Sequence, residues 1–240
     1  MNDSITFISF TRLMIIFIPV AVVTGILNSW SLGWGNIIYA ICRMLIQLLL
    51  IGYFLSYIFL SNDSSFIILI LSIMVFTASW ISLRTISENR LKLFKFAFIS
   101  IIGGGGVILI LVTQFILQLE PWYMPRYMIP MAGMIFASSM NGISLATERL
   151  KAETDRNIDY DSAKIISLKA ALIPITNSLF AVGLVSLPGM MTGQILSGIS
   201  PLIAVRYQIM VMCMIFSAVG LSSFIYLVLV KPKKNNSELY

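Results

Sequence analysis

From Ile5 to Val230 the chain is a succession of apolar runs, each about as long as a membrane is thick. They fall at roughly 5–27, 37–60, 65–83, 96–118, 128–147, 172–198 and 205–230. A bilayer core of about 30 Å is crossed by about 20 residues of helix, so each run is long enough to span. Lipid offers no partner for a free backbone amide, which leaves helices and closed barrels as the only spanning structures. The runs are continuous rather than alternating, and that selects helices. The expected fold is all-α, a polytopic membrane protein with about seven transmembrane helices. It forms one transmembrane domain over 1–230, with a polar cytoplasmic loop at about 148–169 and a short basic tail at 231–240.

Charge agrees with this. Only 11% of residues are charged and 58% are hydrophobic, whereas a soluble domain carries about 25% charged residues. The net charge of +6 does not point to nucleic acid, because the basic residues gather in short segments without interleaved aromatics. Arg84, Arg90, Lys92 and Lys95 follow the third run, and Arg149, Lys151, Arg156, Lys164 and Lys169 follow the fifth. Lys231, Lys233 and Lys234 lie in the tail. Seven spans put all three segments on one side. The positive-inside rule then places the N-terminus outside and the C-terminus in the cytoplasm of a cell membrane. The first run follows Asp3 rather than a basic stretch and ends at Asn28 without a small-residue cleavage site. It reads as a first span, not a signal peptide.

Several chemistries are excluded early. The chain has no histidine, which removes histidine-based acid–base catalysis and His-containing zinc sites. Cys42 and Cys213 lie in separate apolar runs and read as packing residues. Gly103–Gly106 lacks the Lys-Ser or Lys-Thr of a phosphate-binding loop. It reads as close helix packing or a local kink, and the chain has no nucleotide-hydrolysis motif. It reads as a non-enzyme.

A few polar positions inside the runs remain. Arg43 and Gln47 are four residues apart and share a helix face; lipid snorkelling and a transport role both fit them. Asn177 and Gln208 fit helix–helix hydrogen bonding or a pathway. The polar loop holds Asp159, Asp161, Lys164 and Lys169, with Asp161 a plausible N-cap for a surface helix; it is a solvated connector or a docking site. In the sixth run Pro174 is expected in the first turn, where proline is tolerated. Pro188-Gly189 interrupts the run further along, followed by the soft thioethers of Met190 and Met191. Close packing and a hinge that serves transport both remain open for that break.

Ala170-Ala-Leu-Ile-Pro174, Val182-Gly-Leu-Val-Ser-Leu-Pro-Gly-Met-Met191 and Tyr207-Gln-Ile-Met-Val211 together resemble the FetB-type (YbbM-like) permease family, associated with iron export. Ile129-Pro-Met-Ala-Gly-Met134 and Arg43-Met-Leu-Ile-Gln-Leu48 fit the same pattern. The resemblance implies the permease subunit of an ABC-type transporter, homodimeric, embedded in membrane lipid and bound to a cytoplasmic ABC ATPase subunit. This chain then binds no cofactor, and ATP is used by the partner. Iron or another metal ion is the implied cargo. Transport or gating is expected at Arg43, Gln47, Asn177, Pro188, Gly189, Met190, Met191 and Gln208, and ATPase coupling at Asp159, Asp161, Lys164 and Lys169. Asn177 stands where bacterial relatives commonly have an acid, which weakens a hard-cation site there. An ATPase-independent carrier or channel, and a non-transporting scaffold subunit, are the alternatives.

Overall fold

The computed structural model describes residues 8–60, 63–86 and 89–231. Seven helices are long and apolar enough to cross a membrane. They are α1 (Phe10–Ser29), α2 (Trp34–Leu60), α3 (Ser64–Ser82), α4 (Arg90–Ile116), α5 (Pro125–Asp155), α6 (Tyr160–Ala181) and α8 (Pro201–Leu229). A short helix, α7 (Gly189–Leu196), precedes the last. The all-α, multi-pass class expected from the sequence is what forms. Of the basic tail, only Lys231 lies within the described residues.

The chain divides into two compact units, Met1–Ser61 and Asn62–Tyr240. The first consists of α1 and α2. The Ser9 hydroxyl caps α1 by accepting from the Arg12 amide at 3.4 Å, and Ser31 and Gly33, at φ 56° and 64°, form the turn into α2. No residue of α1 is buried. A helix that is apolar all round and uncovered by protein is suited to lipid on every side.

In the second unit α5 and α8 pack against each other, with α4, α3 and α6 around them. Ile101, Ile135, Ile143, Leu150 and Tyr226 are fully buried there. The helices approach as closely as backbone allows. A Cβ placed on Gly104 would lie 2.5 Å from the Ser222 amide nitrogen, and one on Gly142 would lie 2.7 Å from Ser223 Oγ. Membrane helices gain nothing from hiding apolar surface from lipid, so close backbone contact and van der Waals packing hold them together. Across the seam Ser222 Oγ donates to Ser139 Oγ at 3.0 Å. Some other buried hydroxyls return to their own helix, as Ser79 does to the Val75 carbonyl at 2.7 Å and Thr113 to Leu109 at 2.8 Å. That satisfies a donor that lipid cannot.

Gly103–Gly106 is thus packed closely, as the sequence suggested, and also locally irregular. Two stretches of α4, Ile101–Gly106 and Leu111–Ile116, are wide π-type turns. α5 carries Pro130 in its interior and is unusual in its length. Its 31 residues make roughly 46 Å of helix, well beyond the about 30 Å of a bilayer core.

Four expectations need correction. The segment at 148–169 is not a loop: α5 runs to Asp155, α6 starts at Tyr160, and only 156–159 connect them. Glu-Arg-Leu-Lys-Ala-Glu is polar but strongly helix-forming, so the helices continue out of the apolar layer. The N-cap is Asp159 rather than Asp161, its carboxylate accepting from the Ser162 amide at 2.9 Å. The sixth span, expected at 172–198, is instead α6 at 160–181. Pro174 therefore lies in the helix interior rather than its first turn.

Candidate functional site

α6 is polar at its start, with Asp161, Lys164 and Lys169 in its first three turns. Its uncharged part, Ala170–Ala181, is roughly 18 Å long and cannot cross the core alone. The apolar sequence continues to residue 198, but the helix does not. The Ala181 carbonyl accepts from the Val185 amide at 2.8 Å and from Leu184 and Ser186 at 3.2 Å. Gly183 takes φ +83° and donates to the Ser186 carbonyl at 3.0 Å. A left-handed residue costs a side-chain-bearing amino acid about 1 kcal/mol or more and glycine little, so Gly183 is where the helix can turn off.

Pro188 ends the interruption. It disfavours helix at Leu187, and with φ −63° and ψ 147° it is the N-cap of α7. The Thr192 amide donates to its carbonyl at 3.0 Å. The break expected at Pro188-Gly189 therefore begins at Val182, and the proline starts a new helix instead of kinking an old one. Leu184 and Val185 on this turn are almost fully exposed.

The expected pathway residues distribute unevenly. Gly189 opens α7 and is exposed, whereas Met190 and Met191 are half-buried. Asn177 is exposed in the last turns of α6. Gln208 on α8 is 5% exposed, and its Oε1 has no hydrogen-bond partner. Gln194 of α7, which the sequence reading passed over, also holds a buried, unpartnered Oε1. Its spacing of four from Met190 was the available signal. Arg43 and Gln47 belong to the first unit, half-buried and exposed respectively on α2. Among the described residues no three His, Cys, Asp or Glu side chains gather to hold a metal.

The opposite end of α6 is clamped. The Tyr160 hydroxyl donates to the Leu227 carbonyl of α8. Asp161 accepts from Lys164 at 2.6 Å and from Lys231 at 3.2 Å. Glu153, in the last turn of α5, is 2% exposed and pairs with Arg149 at 2.5 Å and Arg156 at 3.7 Å. Glu153 and Tyr160 were also passed over in the sequence, although Arg149 and Glu153 have the i, i+4 spacing of a helix ion pair. The Ser162 backbone N–H, and then its side chain, hold the Asp159 carboxyl below its ordinary range. The corner brings together Asp159, Asp161 and Lys164, while Lys169 lies exposed further along α6.

Known proteins share this sequence over most of its length. Residues 10–234 match the family described as Uncharacterised protein family UPF0014. The chain is 35% identical over 204 residues to the UPF0014 membrane protein slr1647 of Synechocystis, covering 79% of each chain. It is 36% identical over 217 residues to the Probable iron export permease protein FetB of Escherichia coli, covering 84% of this chain and 82% of that one. With Protein ALUMINUM SENSITIVE 3 of Arabidopsis thaliana it shares 31% identity over 227 residues, covering 87% of this chain and 80% of the other. No solved structure matches.

Proposed function

The chain belongs to the UPF0014 family of membrane proteins, and on that premise we propose that it is the permease subunit of an ABC-type exporter. The observation that carries this reading is the near full-length similarity to a protein named as an iron export permease. Iron or another metal ion is the cargo, and a separate cytoplasmic ATPase supplies the energy. The permease works as a homodimer with its N-terminus outside and its basic corners in the cytoplasm, the orientation supported by the positive-inside rule.

In this reading the broken element α6–turn–α7 lines the path, since discontinuous helices provide backbone groups at mid-membrane depth. Asn177, Pro188–Met191 and Gln208 act there, while Arg43 and Gln47 on α2 serve transport within the first unit. The α5–α6 corner, with Asp159, Asp161, Lys164 and Lys169, takes up the push of the ATPase. Its tie to α8 through Tyr160 passes that push to the helix carrying Gln208. Two states with different contacts at the corner are all that such gating requires.

The test is co-purification followed by reconstitution. The chain should bring down a lone ABC ATPase, and ferrous iron should stimulate ATP hydrolysis in liposomes holding both. A carrier or channel needing no ATPase is the second reading, favoured by the brevity of the 156–159 connector, which leaves a partner little free loop. Iron flux from liposomes holding the chain alone, without ATP, would establish that reading and sink the first.

A further inference from the structure

α4 carries an outward face that no other part of the second unit covers, and this face changes chemistry along its length. At its start Lys92 and Lys95 are exposed, with Leu91 77% exposed beside them. Arg84, just before the helix, is exposed as well. Arg90 is pinned: its Nη2 donates to the Trp80 carbonyl at 2.6 Å and its guanidinium lies 4.0 Å from the centre of the Trp80 ring. Its Nε–H is buried and has no acceptor. From Ser64 to Leu119 the sequence sets these four cations against one carboxylate, Glu88, so positive charge is in excess along that stretch.

The same face then becomes apolar. Ile99 and Ile102 are exposed and continue the line of Lys92 and Lys95 at spacings of three and four. Beyond the first wide turn the line reaches a shallow groove of about 430 Å³ lined by Val107, Ile110, Leu111 and Phe115. A wide turn holds more residues than an α-turn, which is why the step from Ile102 to Val107 still falls on this face. From Lys95 to Val107 the helix advances roughly 18 Å, close to the about 15 Å depth of one leaflet.

We infer that this face of α4 binds one anionic phospholipid, its phosphate held by Arg84, Lys92 and Lys95 and an acyl tail laid along Ile99 and Ile102 into the groove. The N-terminal end of the α4 dipole favours the same negative charge. A zwitterionic lipid has the tail but not the net charge, and free inorganic phosphate has the charge but no use for the groove. A docked ATPase would use the cations and leave the apolar stripe idle, so lipid is the occupant that accounts for both halves.

The test measures which lipids stay with the purified full chain after reconstitution in mixed phosphatidylglycerol and phosphatidylcholine. Wild type should retain phosphatidylglycerol several-fold above its share of the bulk. Lys92→Gln with Lys95→Gln should bring that enrichment down to about the bulk share, and the double arginine variant should keep it. Ile110→Trp, which fills the groove and leaves the charges, should weaken retention as well. Unchanged melting temperature and elution volume establish that each variant is folded. Wild-type retention equal to the bulk composition overturns the proposal. So does full displacement by inorganic phosphate, or a lysine variant that loses a co-purifying ATPase while its lipid stays.

Discussion

The α4–α5–α8 seam and the α6–α7 break both depend on glycine, but for opposite reasons. Gly104 and Gly142 are needed for what they lack, since any side chain would strike Ser222, Ser223 or Val219. Gly183 has nothing within 4 Å and is needed for its backbone angle. The seam is shut by contact and tolerates no added atom, whereas the break has room around it and a constrained backbone. A tight seam and an open turn are thus made from one residue type, and mutations should distinguish them.

The largest effect is expected in the seam. Gly142→Val should destabilise the protein by about 3 kcal/mol, read as a lower melting temperature in detergent; wild-type melting would mean that the helices do not lock there. Next comes the clamped corner. Glu153→Ala should cost about 2 kcal/mol, below the figure for a fully buried pair because Arg149 is partly in water. At the break, Gly183→Ala should cost only about 1 kcal/mol yet reduce transport out of proportion to its effect on melting. Pro188→Ala should leave melting within about 0.5 kcal/mol and still lower flux; full flux would reduce the turn to a packing feature.

The smallest effect is a pH dependence. Asp159 has its pKa held below the ordinary value of about 3.9. Its cap therefore contributes fully above that value, and the contribution fades as pH falls through the lower folded-state pKa. Comparing acid melting curves of wild type and Asp159→Asn isolates it, because the variant should lack this part of the slope.

What could be read from the sequence follows the same division. The spans were legible because membrane thickness fixes their length, and no tertiary contact can change that requirement. The break was legible as a break, through Pro188-Gly189, but its position was not. A proline can end a helix or start one, and only the left-handed angle at Gly183 decides between them. The corner was misread because Glu148–Asp155 is charged, and charge was taken for loop where helix propensity and the Arg149–Glu153 spacing argued for continuation. The burial of Gln208 and of the Gln194 Oε1 left no trace in the sequence beyond amides in apolar runs and the four-residue spacing of Gln194 from Met190, since burial depends on which helix lies opposite.

The wide turns of α4 have a consequence for how this chain can change in length. Each holds its surplus within one turn, so the faces before and after it remain aligned. Removing a single residue from Gly103–Gly106 should close the turn to ordinary α geometry and leave the downstream face where it was. A deletion in α5 or α8, which have no such surplus, would rotate everything after it by about 100°. Natural loss or gain of one residue inside a membrane span should accordingly be tolerated in the glycine run and rejected in its two packing partners.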